Sequence, residues 1–226
     1  MHCLIEKAKK EKRHLLEPEV LRLLYDYGIR VPPHRVIREE KEALDAAQFL
    51  GWPVVMKIVS PDIIHKTEVG GVLLNLQNEK EVKEAFLRLS SLQDKGKRIE
   101  GFILYPFQRH DLELSVGMVR DSQFGPVITF GLGGIWIEVF QDIAFGIAPL
   151  SPQEADAMLD SIRGHSLLKG FRAQEPADRE SLSELLVRVS RMALEEGEIR
   201  EMDLNPVFPM EKGYFIADSR IIIEGS

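Results

Sequence analysis

The chain has 226 residues, with 44% hydrophobic and 29% charged side chains, a formal net charge of −7 and a pI near 5.5. This length and composition are ordinary for a globular protein that forms one large domain or two lobes. The acidic balance argues against a nucleic acid or an anionic membrane recognised mainly by charge, and no apolar run approaches the ~20 residues of a membrane span.

Helical and strand-like patterns alternate in residues 1–100. Helices are indicated by apolar residues at helical spacing that end at stops such as Gly28 and Gly51, and strands by short β-branched runs. The predicted helices cover 4–16, 17–28, 39–50 and 79–92, and the predicted strands cover 34–37, 54–59 and 72–76. We therefore expect a small α/β lobe over residues 1–100, with a boundary at 95–97.

The second half of the chain is richer in strands. Pro152 and Glu154 favour a helix start there, because proline suits the first helical position and an acid suits the first turn. The predicted strands cover 101–107, 112–120, 126–130, 135–140, 199–208 and 214–223, and the predicted helices cover 151–163 and 179–195. Residues 101–226 are therefore predicted to form a larger α+β lobe, and the fold class of the chain is α+β.

The stretch 53–76 contains two apolar runs joined by polar residues, which is typical of strand, loop and strand. Lys57 interrupts the first run, and a buried lysine is costly unless it reaches an anion. The pair Gly70-Gly71 would let backbone N–H groups approach that anion. The pattern thus predicts a phosphate-handling hairpin. Alternatively, Lys57 extends to the surface from an edge strand and the glycine pair is only a turn.

His65 is the histidine that could take part in chemistry. It lies in this hairpin beside Lys66 and Thr67, whereas the other histidines lie among charged or turn residues. An imidazole with an ordinary pKa is largely neutral at pH 7, so its ring nitrogen could act as a nucleophile toward phosphorus.

Polar residues alternate with apolar ones in the last two predicted strands. Asp203 and Asn205 are two residues apart and face the same side of one strand. Asp218 has a spacing suited to a hairpin partner opposite Asn205. Carboxylate and amide oxygens from adjacent strands are ligands that Mg²⁺ takes alongside nucleotide phosphates. The alternative is a solvated face of an edge hairpin, but the tight apolar bracketing favours the metal site.

Two further features are weaker. Glu113 lies inside a predicted strand, where it could accept hydrogen bonds from a ribose, although an outward-facing strand position is the simpler interpretation. The glycine cluster 131–134 follows an apolar strand, and such clusters more often make turns than phosphate cradles. Glu138 and Asp142 come soon after it, four residues apart, and would share a face of a strand or helix.

Four groups of motifs follow one another along the chain: PVVMKIVSP, HKTEVGGV, DSQFGPVITFGLGG, and MDLNPV with ADSR. Together they resemble the β chain of ADP-forming acyl-CoA synthetases, of which acetate–CoA ligase (ADP-forming) is the best-known type. Succinyl-CoA synthetase β chains are more distant relatives. The resemblance covers essentially the whole chain and implies an ATP-grasp fold, in which two α+β lobes clamp the nucleotide.

The resemblance also implies roles for nucleotide-binding residues. Lys57 matches the lysine of the family that contacts nucleotide phosphate. Glu113 matches the acid at the ribose end. The segment Tyr105, Pro106 and Phe107 matches the hinge between lobes, whose backbone meets adenine. Under this resemblance the nucleotide is ATP or ADP.

Metal-binding and catalytic residues follow from the same resemblance. Asn205 and Asp218 match the Mg²⁺ ligands, His65 matches a histidine that is transiently phosphorylated, and Asp203 matches the acid that supports it. Many relatives have arginine where this chain has Gly146, so a phosphate contact from that position must be absent or supplied elsewhere, for instance by Arg220.

The resemblance implies one subunit of a larger cytoplasmic enzyme, and the lone Cys3 fits a reducing compartment. A CoA-binding α subunit would form acyl phosphate and then pass the phosphoryl group to His65, in an α2β2 assembly. The overall reaction converts acyl-CoA, ADP and phosphate to acid, ATP and CoA, reversibly. Two competing hypotheses are an ATP-dependent carboxylate–amine ligase and a nucleotide-sensing regulatory module.

Overall fold

A computed structural model describes residues 1–63, 65–92, 98–134, 141–170 and 175–225. The chain divides into two compact units. The small unit comprises Leu16–Pro18 and Pro32–Arg109, and the large unit comprises Met1–Leu15, Glu19–Val31 and His110–Ser226. No helix in the described part of the chain is long and apolar enough to cross a membrane.

Helices and strands follow one another in mixed order. The helices are α1 (Cys3–Lys10), α2 (Glu17–Asp26), α3 (Glu40–Leu50), α4 (Glu79–Ser90), α5 (Pro152–Ser161) and α6 (Arg179–Glu195), and a 3₁₀ helix covers Arg163–Lys169. The strands are β1 (Arg35–Ile37), β2 (Val54–Val59), β3 (Val72–Leu76), β4 (Gly101–Pro106), β5 (Leu114–Asp121), β6 (Gly125–Leu132), β7 (Ile143–Ile147), β8 (Ile199–Pro209), β9 (Tyr214–Ile216) and β10 (Ser219–Ile223).

The small unit is built on a four-stranded antiparallel sheet in the order β1-β4-β2-β3. Helices α3 and α4 bury the apolar faces that their sequences predict, and their side chains join those of β2 and β4 in one core. Representative core residues are Ala43, Ala47, Met56, Val82 and Leu104. Strand β2 is an internal strand of this sheet, because it lies between β4 and β3.

The predicted boundary at residue 100 differs from the observed division. Strand β4 pairs with both β1 and β2, so residues 101–106 belong to the sheet of the small unit. Conversely, α1 and most of α2 group with the large unit. Pairing between strands distant in sequence decides the division, and the glycine and lysine pattern at 95–97, which lies outside the described residues, does not.

The large unit is built on an antiparallel sheet in the order β10-β8-β5-β6-β7, with β9 paired to β8. Helix α6 packs against β5 and β6, and α5 packs against β7 and β6. Buried residues of α6, such as Leu185, Leu186 and Val189, are fully enclosed. Helices α5 and α6, which also contact each other, therefore cover one face of the sheet.

Several element boundaries differ from the predictions. Helix α1 ends at Lys10, before the left-handed residue Lys12. Glu113 precedes β5 and is not inside a strand. The predicted strand 135–140 lies outside the described residues, whereas β7, which the sequence did not predict, follows it. The single strand predicted over 214–223 is two strands, β9 and β10.

Candidate functional site

Lys57 lies at the centre of a buried polar cluster in the small unit. Its Nζ donates to Oε1 of Glu17 at 3.1 Å, and the Tyr105 hydroxyl donates to the same oxygen at 2.5 Å. The Nζ of Lys66 lies 3.1 Å from Glu17 Oε2. We call these four residues the lysine cluster. Two ammonium groups and one carboxylate give the cluster a formal charge of +1, which suits an anionic ligand.

The edge-strand interpretation of Lys57 is wrong. Strand β2 lies between β3 and β4, and the Lys57 side chain is only 6% exposed. Its Nζ also lies 5.0 Å from the centroid of the Tyr105 ring, a favourable cation–π geometry. A buried ammonium requires such compensation, because desolvation of an isolated charge costs several kcal/mol.

The hairpin of residues 65–71 carries His65 and Lys66. The Gly71 N–H donates to the Lys66 carbonyl at 2.7 Å, and the Gly70 N–H donates to the Thr67 carbonyl at 3.0 Å. Both glycine N–H groups are thus used inside the turn, so the expectation that they approach an anion is wrong. Gly70 has φ +69, which favours glycine there.

His65 is well exposed in this hairpin. Its side chain is 64% accessible, and its Nδ1 lies 4.0 Å from Oε1 of Glu68. An exposed imidazole can be approached by a reacting group. Its predicted supporting acid, Asp203, belongs to the large unit, so the pairing of the two residues stays a prediction.

The segment Tyr105, Pro106 and Phe107 ends β4. Tyr105 is buried through its contact with Glu17, and the Phe107 N–H donates to the Pro53 carbonyl at 2.8 Å. Proline has no N–H. An adenine contact from Pro106 or Phe107 would therefore use a carbonyl oxygen as acceptor.

In the large unit, one row of side chains crosses the face of the sheet opposite to helices α5 and α6. Residues directly opposite in an antiparallel pair project to the same face. The row runs through Arg220, Asp203, Gly117, Thr129 and Phe145. A Cβ on Gly117 would lie 2.5 Å from Thr129 Oγ1. Because residue 117 is glycine, no side chain projects from the middle of this row. The row has a charged pair, Arg220 and Asp203, at one end and the aromatic side chain of Phe145 at the other.

Asp203 and Arg220 form the charged end of the row. Asp203 Oδ2 lies 3.8 Å from Arg220 Nη2, and both side chains are partly exposed. Burial, and to a lesser degree the positive charge of Arg220, lower the pKa of His14 below its ordinary value. His14 is one of the histidines that lie among charged or turn residues in the sequence, and the structure shows that it is half-buried near this end of the row.

Asn205 and Asp218 lie opposite each other. The Asn205 N–H donates to the Asp218 carbonyl at 3.2 Å, as the predicted hairpin spacing requires, and both residues are half-buried. No group of three or more His, Cys, Asp or Glu side chains suited to a metal occurs among the described residues. An amide and a carboxylate with Asp203 nearby nevertheless form an oxygen donor set that fits Mg²⁺, which keeps several waters and completes its shell with phosphates.

Glu113 packs against the glycine cluster 131–134. The Gly133 N–H donates to the Glu113 carbonyl at 2.6 Å, and Gly134 has φ +59. A Cβ on Gly134 would lie where Glu113 Oε2 now is, so the carboxylate would have to shift. The glycine cluster therefore packs directly against Glu113 before the start of β5, a contact that the sequence pattern did not reveal.

Two other candidate positions do not belong to this site. The carboxylate of Asp142 accepts the backbone N–H groups of Arg163 and Gly164 at 2.7 Å each and so caps the 3₁₀ helix, while Glu138 lies outside the described residues. A Cβ on Gly146 would meet Met158 Sδ at 2.6 Å. Position 146 thus faces helix α5, and a phosphate contact from Arg220 stays a prediction.

Comparisons with known proteins agree with this architecture. A sequence model of the ATP-grasp domain matches residues 6–223. The chain is 43% identical over 223 residues to the acetate–CoA ligase (ADP-forming) I subunit beta of Pyrococcus furiosus, covering 97% of this chain and 96% of that protein. It is 42% identical to acetate–CoA ligase (ADP-forming) I of Archaeoglobus fulgidus over 97% of this chain and 32% of that longer protein.

A solved structure is also closely similar. Acetyl-coenzyme A synthetase 1 of Ca. Korarchaeum cryptofilum, in complex with coenzyme A and Ca-AMPCP, has a TM-score of 0.93 at 42% identity, covering 98% of each chain. The same protein with Mg-AMPPCP has its phosphohistidine segment pointing towards the nucleotide binding site, with a TM-score of 0.85, 40% identity and 98% coverage of each chain. The chain therefore belongs to the ATP-grasp family, among the β chains of ADP-forming acyl-CoA synthetases, and is part of an acid–thiol ligase.

Proposed function

We propose that this chain is the nucleotide-binding subunit of an ADP-forming acetate–CoA ligase and that His65 relays the phosphoryl group. A ring nitrogen of His65 attacks the phosphorus of a phosphohistidine on the partner α chain, so that one P–N bond forms as the other breaks. An oxygen of the ADP β-phosphate then attacks this phosphorus, the bond to His65 breaks, and ATP forms. Both steps are reversible.

The observation that carries this proposal is the lysine cluster beside the His65 hairpin. Phosphoryl transfer depends mainly on positioning and on neutralisation of charge. Lys57 supplies a buried positive charge that cannot move away into solvent. Lys66, which directly follows His65, pairs with the same carboxylate, Glu17. An exposed imidazole and a fixed cation within one unit are suited to receive and pass on a phosphoryl group.

Residues of the large unit would hold the metal and the sugar. We assign Asn205 and Asp218 to Mg²⁺, and Glu113 to hydrogen bonds with the ribose hydroxyls. Mg²⁺ would neutralise phosphate charge during transfer. Asp203 would accept a hydrogen bond from the His65 ring and stabilise its protonated form. Carbonyl oxygens of the segment 105–107 would accept from the adenine amino group.

The partner would be a CoA-binding α subunit, in an α2β2 assembly. The Pyrococcus relative of almost the same length is itself named a beta subunit, whereas the Archaeoglobus relative is a longer single chain. Acetate is the proposed acid because both of these relatives are named for it. The cytoplasm is the proposed location, in line with the free, exposed thiol of Cys3.

Labelling with γ-³²P-ATP and Mg²⁺ in the complete enzyme tests the relay. Label on this chain should be acid-labile and alkali-stable, as a P–N bond is, and His65→Asn should abolish both label and turnover while nucleotide binding survives. His34→Asn, in the same unit, is the matched control and should keep the label. A carboxylate–amine ligase would leave no such label. Acid-labile label on His65→Asn, or full turnover of the wild type without label on this chain, would overturn the relay.

A further inference from the structure

Glu17 is a buried carboxylate to which the proposed reaction assigns no step. It is the first residue of α2, and its side chain is 2% exposed. Its partners come from three separate elements: Lys57 of β2 and Tyr105 of β4 donate hydrogen bonds to Oε1, and Lys66 of the hairpin forms an ion pair with Oε2 at 3.1 Å. Charge-assisted hydrogen bonds of this kind are strong and directional. One side chain therefore ties three parts of the small unit together.

We propose that Glu17 is a positioning residue, which fixes the hairpin that carries His65 relative to the strand that carries Lys57. This inference rests on the proposed relay. Two ammonium groups directed at one buried point repel each other unless an anion lies between them. Without the carboxylate, Lys66 would turn out to solvent, because the hairpin is at the surface. Since Lys66 directly follows His65, the position of the imidazole would then be lost.

The hairpin depends on this polar tie because apolar packing does little for it. None of its residues 65–71 belongs to the buried apolar core of the described small unit. Segments with few buried apolar contacts open locally at small cost in free energy. The two glycine N–H bonds close the turn itself, and the Ile58 N–H donates to the Gly71 carbonyl at 3.0 Å, which attaches the C-terminal end of the hairpin to β2. At the other end, beside His65, the ion pair between Lys66 and Glu17 attaches the hairpin to α2.

The experiment is a double-mutant cycle in the complete enzyme, with the α chain present and nucleotide saturating so that affinity does not enter. Glu17→Gln keeps the size and an acceptor for Tyr105 but removes the charge, and Lys66→Met removes the other end of the tie. Each should lower turnover and the rate of His65 labelling by about tenfold to hundredfold, as small misplacements of reacting groups do. The double variant should lose no more than the worse single variant, because both remove the same tie.

Two control variants separate positioning from general destabilisation. Glu19→Gln lies two residues further along α2 and breaks another ion pair, with Arg13 at 2.6 Å, so it should stay within about twofold of the wild-type rate. Lys66→Arg keeps the charge and can still reach Glu17, so it should restore most of the rate lost in Lys66→Met.

Several results would overturn the inference. They are a wild-type rate in folded Glu17→Gln, losses that add in the double variant, or an equal loss in Glu19→Gln. If Glu17→Gln does not fold, Lys66→Met decides alone: a wild-type rate refutes the tie, and a loss that Lys66→Arg restores supports it. Wild-type turnover without label on His65 would overturn the relay. The coupling between Glu17 and Lys66 is read from turnover in the double-mutant cycle, so it can still be measured in that case.

Discussion

Lys57→Met is the sharpest test of the phosphate site. Methionine has a similar length and apolar bulk, so the change removes the ammonium but fills the same space between β3 and β4. Glu17 keeps Lys66 and the Tyr105 hydroxyl as partners. The variant should therefore fold, although one of the groups that compensate the buried carboxylate is gone.

The expected loss of nucleotide affinity follows from the burial of Lys57. A hydrogen bond to a charged group contributes roughly 1.5–3 kcal/mol, which corresponds to about a 10- to 150-fold rise in Kd. The pair with Glu17 at 3.1 Å favours the lower part of this range, because Lys57 is already partly neutralised before nucleotide binds. The affinities for ATP and ADP should fall together, since the change touches phosphate and not the base.

Calorimetric titration with Mg-ADP measures the effect directly, with urea unfolding as a parallel measurement of stability. Lys80→Met is the matched control, because Lys80 is in the same unit but 84% exposed on α4. Its affinity should equal that of the wild type. If Lys57→Met also bound nucleotide with wild-type affinity and only its free energy of unfolding fell, Lys57 would be a structural partner of Glu17 and not a phosphate ligand.

Two further predictions concern the large unit. Asp218→Asn should weaken nucleotide binding much more with Mg²⁺ than without it, because a carboxylate gives the ion a charge and an amide gives only a dipole; equal weakening in both titrations would refute the metal assignment. Asp178 caps α6 and accepts hydrogen bonds from the Ser181 side chain and the Gly213 N–H, which lower its pKa. Its contribution to stability is present above the unfolded-state pKa and is lost as the pH falls through the lower folded-state pKa, so Asp178→Asn should lose less stability than the wild type between pH 7 and pH 3 in urea unfolding.

Local pattern predicted the two strands that flank the His65 hairpin well. Strands β2 and β3 cover Val54–Val59 and Val72–Leu76, the bounds that were predicted. Strand β2 is rich in β-branched residues, fully buried and preceded by proline, so propensity and burial favour the same structure. Strand β3 is a leucine-rich apolar run that begins directly after Gly71. Helices α3 and α4 agree for the same reason, since their apolar spacing matches the face that they bury.

Pairing with distant strands explains where the pattern failed. The apolar stretch 214–223 was predicted as one strand, but β8 pairs with β9 through residues 207–209 and with β10 through residues 199–204. Pro206 has no N–H to continue the ladder, which interrupts the pairing between these segments. The interruption leaves Asp218 opposite Asn205. The sequence therefore predicted that Asn205 and Asp218 lie opposite each other, although the strand assumed for Asp218 is not one element, and their role as metal ligands stays a prediction.

Glu17 could not be identified from its local sequence. Glu17, Pro18 and Glu19 have the pattern of a helix start, and an acid in the first turn needs no other explanation. Its partners Lys57 and Tyr105 are 40 and 88 residues away in sequence. Only the fold of the small unit brings them to one carboxylate. The available signal was Lys57 itself, because a lysine in a buried strand requires an anion somewhere in the structure.

The charges of the two units explain why one chain can serve a metal-bound nucleotide. The lysine cluster has one more ammonium than carboxylate, and its burial preserves the strength of that charge against solvent and salt. Such a group is suited to phosphate oxygens. Asp203, Asn205 and Asp218 of the large unit supply partly exposed oxygen donors, which are suited to a hydrated divalent cation. Glu17 makes the first arrangement possible, because the two ammonium groups would repel each other without the carboxylate between them.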